Sequence, residues 1–187
     1  MAPARQTRCI FLIGFMGAGK TTVGKALARR RQCSFQDLDQ IIEDARGKSV
    51  AAIFAEDGEA EFRRMESQAL NRVLAEAAQA GGREARVVAL GGGAFAQPAN
   101  RDAIRQAGAV TVLLQAPLEE LRRRCRQDAN VRPLAQDEAR FAQLLGERQE
   151  AYALAQFHVD TMNKAVDEVA AEIERRLAAA VQGEERQ

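Results

Sequence analysis

Apolar positions along the chain fall into two kinds of segment that alternate. The first kind is a short, nearly unbroken apolar run: Cys9-Ile10-Phe11-Leu12-Ile13, the weaker Cys33-Ser34-Phe35, Val87-Val88-Ala89-Leu90, Val110-Thr111-Val112-Leu113-Leu114 and Phe157-His158-Val159. Such runs suit strands covered on both faces. The second kind has helical spacing. Val23, Leu27 and Ala28 share one face over 20–31, with basic residues at the end, where the helix dipole favours them. Two short helices are predicted over 40–46 and 49–56, parted by Gly47, the second turning Val50, Ile53 and Phe54 inward. Phe62, Met65, Ala69, Val73 and Ala77 mark one face of a long helix over 59–80, stopped by Gly81-Gly82. Helices are also predicted over 117–126, with Pro117 in the first turn, over 139–155, and at the end, where Val166, Val169, Ile173 and Leu177 share a face.

Strands alternating with helices predict an α/β fold with a doubly wound parallel sheet. Ligands of such sheets gather at the carboxyl ends of the strands. The glycine-rich breaks after the first and third strands fall there, as do the carboxylates after the second. The segment 127–138 is polar, holds Pro133 and lacks periodicity, so it is expected to be a functional loop. Residues 1–187 are expected to form a single domain, with 1–7 and 183–187 frayed.

Composition narrows the chemistry. The 27 basic and 26 acidic residues nearly cancel, which argues against a broad nucleic-acid surface. One His leaves little for zinc sites or a histidine relay. Cys9, Cys33 and Cys125 are odd in number and far apart, as suits a reducing cytoplasm. No apolar run approaches the roughly 20 residues of a membrane span, and the first eight residues lack the apolar core of a signal peptide.

Gly14-Phe15-Met16-Gly17-Ala18-Gly19-Lys20-Thr21 fits the phosphate-loop pattern G-x4-G-K-[ST], between a strand and a helix as the pattern requires. Its backbone N–H groups can form an anion nest, and the helix N-terminus adds partial positive charge. Lys20 can reach the outer phosphates, and Thr21 can offer a hydroxyl to Mg2+. If the chain stays extended, alternation puts Asp37 and Asp39 on one side, one near a metal and one near an acceptor hydroxyl; the plainer alternative is that Asp39 caps the next helix. Gly91-Gly92-Gly93 ends a buried strand, which suits a ligand lying against the backbone. Arg63, Arg132 and Arg148 lie where guanidinium groups can meet a phosphate or carboxylate. His158 is expected to be a strand residue with no catalytic duty, and Cys9 and Cys33 small core residues.

The runs GFMGAGKTTVGKALA, DLDQIIE, IFAEDGEAEFRRME, VVALGGGAF, VRPL, ERQEAY and HVDT resemble, in order and spacing, the shikimate kinase family. That resemblance implies the three-layer fold of the nucleoside-monophosphate-kinase-like P-loop enzymes, with five parallel strands in the order 2-3-1-4-5 and a mobile lid. It implies transfer of the γ-phosphoryl of ATP to the 3-hydroxyl of shikimate, in aromatic amino-acid biosynthesis, by a cytoplasmic monomer that binds neither nucleic acid nor membrane. Carried onto this chain, it implies that Gly17, Ala18, Gly19, Lys20, Thr21 and Thr22 hold the ATP phosphates. Thr21 and Asp37 serve Mg2+, and Asp39 binds and orients the acceptor hydroxyl. Arg63 and Arg148 clamp the carboxylate, Gly92 and Gly93 meet the substrate through backbone N–H, and Arg132 closes over the phosphates from the lid at about 127–138. Phe54, Phe62, Pro133 and Leu134 would wall the pocket. Residues 79–86 and 124–131 look longer than usual for the family, so the adenine-side arginine is either Arg124 or Arg126, and 161–168 lack a proline often found near the purine. Two other readings are a different small-molecule kinase on the same fold, such as a gluconate kinase, and a non-catalytic ligand-binding regulator.

Overall fold

The computed structural model describes residues 9–79, 85–127 and 137–184. In chain order the elements are β1 (Cys9–Ile13), α1 (Lys20–Arg30), β2 (Ser34–Asp37), α2 (Leu38–Arg46), α3 (Val50–Glu56), α4 (Gly58–Gln79), β3 (Arg86–Ala89), a 3-10 turn (Ala94–Ala96), α5 (Pro98–Gln106), β4 (Val110–Gln115), α6 (Leu118–Gln127), α7 (Glu138–Tyr152), β5 (Phe157–Asp160) and α8 (Val166–Glu184). The five strands form one parallel sheet in the order β2-β3-β1-β4-β5. This is the order the family resemblance implied.

β1 is the central strand, and all five of its residues are buried. A strand with helices on both faces has no solvent side, so its sequence is apolar throughout rather than alternating. On one face α1 lies close against the sheet because Gly24 has no side chain. A Cβ there would run into the ring of Phe35 and stand 3.2 Å from Leu12 Cδ1. α1 also packs against α8. In α4 the expected face is the buried one: Phe62, Met65, Ala69, Val73 and Ala77 are all in the core. In α8 Val169, Ile173 and Leu177 are buried while Val166, at the helix start, is exposed. Among the described residues no helix is long and apolar enough to cross a membrane.

Three local expectations need correction. The second strand runs on to Asp37, and the chain turns helical at Leu38. Asp39 is therefore in the first turn of α2, and the two aspartates are not neighbours on one extended face. Asp37, not Asp39, is the cap: its Oδ1 accepts the Asp39 N–H at 3.2 Å. The stretch 94–109 also holds structure that the apolar pattern does not announce, a 3-10 turn followed by α5, with Pro98 in its first turn. α8 continues to Glu184, past the point where the tail was expected to begin.

Candidate active site

The loop from β1 to α1 turns back on itself through left-handed glycines. Gly17 (φ 80°) and Gly19 (φ 88°) adopt a conformation that side chains resist, and Gly19 caps α1. The loop is pressed against its neighbours. A Cβ on Gly14 would stand 2.5 Å from the Leu114 carbonyl oxygen, and one on Gly17 would stand 2.5 Å from that of Leu121. The Lys20 ammonium lies across the loop, donating to the carbonyls of Gly14 (2.9 Å) and Phe15 (3.2 Å). Ala18 is buried beneath, whereas Thr21 and Thr22 open the helix on the exposed side. The Thr21 hydroxyl donates to Asp37 Oδ2 at 2.8 Å. The end of β2 thus meets the first turn of α1, and Asp37 uses one oxygen on Thr21 and the other on its own helix.

Those two side chains test whether a divalent ion fits. A hydroxyl and a carboxylate within hydrogen-bond reach are hard oxygen donors suited to Mg2+, which takes few protein ligands and relies on phosphate and water for the rest. Among the described residues no cluster of three or more His, Cys, Asp or Glu exists that would hold an ion unaided. The residues therefore fit a metal carried in with a phosphate chain.

Beside the loop, the three glycines after β3 each face a different charged group. A Cβ on Gly91 would run into Asp39 Oδ1 and stand 2.6 Å from Glu66 Oε1. One on Gly92 would stand 2.6 Å from Arg148 Nη1. One on Gly93 would run into the Arg63 guanidinium. Side chains from α2, α4 and α7 thus converge on one bare turn at the carboxyl end of the sheet. Arg63 is held before any ligand arrives. It donates to Glu66 Oε2 (2.6 Å) and Glu59 Oε1 (3.0 Å), and its carbon lies 5.8 Å from the Phe54 ring centre and 5.6 Å from that of Phe62. Burial alone would loosen its proton, but the two glutamates outweigh burial and keep the guanidinium more firmly charged than usual. Arg148 stands 5.3 Å from the centre of the Phe15 ring, and Phe15 meets Phe141 edge-on at 4.9 Å. Phe15 belongs to the phosphate loop, so the loop and Arg148 share a support.

Glu66 and Tyr152 belong to this cluster although neither is among the residues expected from the sequence. Glu66 is 1% exposed; Gln97 Nε2 also reaches its Oε2, at 3.3 Å, while Oε1 has no hydrogen-bond partner among the described residues. Burial pushes its carboxyl above the usual glutamate range, Arg63 opposes this, and the nearby Asp39 charge adds to the upward push. A sequence signal did exist: a lone acid at 66 sits inside the apolar stripe of Phe62, Met65, Ala69 and Val73. Tyr152 is one turn after Arg148 on α7, and its hydroxyl donates to the Gly92 carbonyl at 2.7 Å.

Of the two candidate adenine-side arginines, Arg124 is the one that faces the loop. It donates to the Thr161 hydroxyl and carbonyl (both 2.9 Å) and reaches the Gly17 carbonyl at 3.4 Å. Arg126 instead pairs with Glu138 at 2.7 Å. His158 lies in β5, with Nε2 3.1 Å from the Ala155 carbonyl. Arg132, Pro133, Leu134 and most of the expected lid lie outside the described residues.

The shikimate kinase family model matches residues 16–178. A shikimate kinase of Geobacter metallireducens is 42% identical over 169 residues, covering 89% of this chain and 89% of the relative. The solved shikimate kinase from Acinetobacter baumannii in complex with shikimate superposes with a TM-score of 0.83 at 34% identity, covering 94% of this chain and 96% of that one. A gluconokinase from Sinorhizobium meliloti superposes with a TM-score of 0.63 at 19% identity, covering 96% of each chain, which is a likeness of fold alone. The chain belongs to the shikimate kinase family.

Proposed function

We propose that this protein transfers the γ-phosphoryl group of ATP to the 3-hydroxyl of shikimate, giving shikimate 3-phosphate and ADP on the route to the aromatic amino acids. The observation that carries the reading is the triple-glycine turn. Its successive residues face Asp39, Arg148 and Arg63, directly beside the phosphate loop. A hydroxylated carboxylic acid needs this set: two guanidinium forks for the carboxylate, a carboxylate for a hydroxyl, and bare backbone so that the ring can lie close.

Phosphoryl transfer asks a protein mainly for alignment and for neutralisation of charge. Residues 17–22 would cradle the phosphates through backbone N–H groups, with the Lys20 ammonium moving from the loop carbonyls to the phosphoryl oxygens. Thr21 and Asp37 would hold Mg2+, which when bound supplies charge neutralisation on the phosphate chain. Arg63 and Arg148 would fix the acceptor carboxylate and so the ring. Asp39 would take a hydrogen bond from the 3-hydroxyl and turn its oxygen toward the phosphorus, drawing off the proton as the bond forms. Arg132 would add a charge over the phosphates when the lid segment closes, and Arg124 would border the purine. The reading includes a cytoplasmic monomer; the three free cysteines support the reducing compartment.

Incubation of the protein with Mg-ATP and shikimate, with ADP release followed continuously, tests the reading. Shikimate should raise ADP formation far above the basal ATPase rate, while gluconate and nucleoside monophosphates should not. Equal stimulation by gluconate would overturn the choice of acceptor. No stimulation by shikimate would leave a nucleotide-binding protein without this kinase activity.

A further inference from the structure

We propose that Tyr152 is a positioning residue of the acceptor site, holding both the Gly92 peptide and the Arg148 guanidinium in their binding orientation. The proposal rests on the acceptor reading given above. Tyr152 is 4% exposed, in the last turn of α7, four residues after Arg148 and so on the same helix face. Its hydroxyl donates to the Gly92 carbonyl at 2.7 Å, and the Arg148 guanidinium lies near enough for its charge to act on the phenol. A Cβ on Gly92 would have Arg148 Nη1 at 2.6 Å and the Tyr152 oxygen at 3.8 Å. The phenol oxygen thus lies beside two groups of the proposed acceptor site, the Gly92 peptide and the Arg148 guanidinium.

The consequence for the turn follows from the planar peptide. The carbonyl of Gly92 and the N–H of Gly93 belong to one rigid unit and point in opposite directions. Anchoring the carbonyl on α7 therefore aims the Gly93 N–H away from α7. Three successive glycines have more freedom than any other tripeptide, so the turn needs an outside anchor to keep one peptide orientation. The phenol suits the task because burial raises its pKa, so it stays a protonated donor across the physiological range, although the nearby Arg148 charge works against that rise. Beside Arg148, a neutral phenol limits where the guanidinium can settle without neutralising its charge, which a carboxylate in the same place would do.

Tyr152 is the sole tyrosine, and the chain has no tryptophan. Any tyrosine signal is therefore a signal from this site. The first experiment establishes that wild-type protein is stimulated by shikimate; failure there overturns the acceptor reading itself, whatever Tyr152 does. The second compares Tyr152→Phe, which removes one oxygen. We expect the KM and calorimetric Kd for shikimate to rise about tenfold, the size of one lost hydrogen bond to a binding group. The KM for ATP should stay within twofold, and kcat should fall less than threefold. In an Arg148→Lys background the same change should raise the shikimate Kd less than threefold, because part of its path is already gone. Unchanged shikimate affinity in the folded Phe variant, or equal losses for ATP and shikimate, would overturn the proposal in favour of a purely structural tyrosine. If the Phe variant does not fold, wild-type protein labelled throughout with 3-fluorotyrosine serves instead. Its single fluorine resonance should move on saturation with shikimate alone, and an unmoved resonance overturns the proposal.

Discussion

The phosphate loop and the acceptor turn lie next to each other at the carboxyl end of the sheet, yet they are assembled differently. The loop is eight consecutive residues, 14–21, and it offers backbone with one lysine and one hydroxyl. Its shape comes from local conformation, through the left-handed Gly17 and Gly19 and the start of α1. The acceptor turn contributes three bare glycines, and the polar side chains facing it arrive from elsewhere: Asp39 from α2, Arg63 and Glu66 from α4, Arg148 and Tyr152 from α7. One site is written locally and the other by tertiary convergence. A local site survives rearrangement of its neighbours but not a change in its own few residues. A convergent site can be damaged from any of several helices, each time losing a different contact.

Substitutions can break that contrast, and the largest effect is expected on the local side. Lys20→Ala removes the ammonium that lies across the loop and should lower kcat roughly 10³-fold, the scale for losing one pre-organised charge on a developing oxyanion. Shikimate Kd by calorimetry should stay within about threefold, since the acceptor turn has its own charges. Loss of shikimate binding in this variant would show that the two sites are not built independently.

Next in size are the aspartates, which stand two residues apart but on opposite sides of the division. Asp39→Asn should lower kcat roughly 10²-fold and weaken shikimate binding, with Mg-ATP binding little changed. Asp37→Asn should raise the Mg2+ concentration needed for half-maximal rate and largely spare shikimate. Asn caps a helix as well as Asp does, so this variant should keep the α2 cap, whereas Asp37→Ala should lose about 1 kcal/mol of stability as well. Calorimetric titration of both variants with each ligand decides the matter; exchanged phenotypes would reverse the assignment. A smaller effect is expected from Gly93→Ala. The added methyl runs into the Arg63 guanidinium, which Glu66 and Glu59 hold from behind. Overpacking of this kind costs about 1–3 kcal/mol, and here it should appear as a shikimate KM roughly tenfold higher with the ATP KM unchanged.

The same contrast explains which parts of the molecule could be read from its sequence. The phosphate loop was fully legible because motif, strand and helix are contiguous. The strands of the central sheet were legible because burial on both faces leaves unbroken apolar runs, as in β1. The short edge strand β2 was blurred: its four residues are exposed to half-buried, and its end overlaps the cap of α2. That overlap is why the two aspartates were expected on one extended face. α5 was not legible, since only Asn100 and Ile104 are buried in it and a two-residue face gives no periodicity. In the acceptor turn the residues implied by family resemblance do converge, but Glu66 and Tyr152 did not stand out. Glu66 looks like one more acid in a charged helix until its place on the apolar face is noticed, and nothing local marks a tyrosine whose partner is 60 residues away.

The smallest expected effect lies at the rim of the nucleotide side. Glu120 accepts hydrogen bonds from Arg123 and Arg124, at 2.7 Å each, and these bonds lower its pKa from 4.5 to about 2. Arg124 in turn reaches Thr161 and the Gly17 carbonyl, so Glu120 touches the phosphate loop only through one intermediate. A carboxylate with a depressed folded pKa contributes stability that is present above its unfolded value near 4.5 and is lost as pH falls through about 2. Solvent screens this pair, so the contribution is small. Glu120→Gln should therefore lower the melting temperature slightly at pH 6 and raise the ATP KM less than about threefold, by loosening Arg124. Shikimate affinity should not move. The difference in melting temperature between the two proteins should narrow from pH 5 downward and close near pH 2. A gap that stays constant over that range would show that the ion pair does not stabilise the fold through its charge. A change in shikimate affinity would show that the nucleotide rim and the acceptor turn are coupled through α6 rather than built separately.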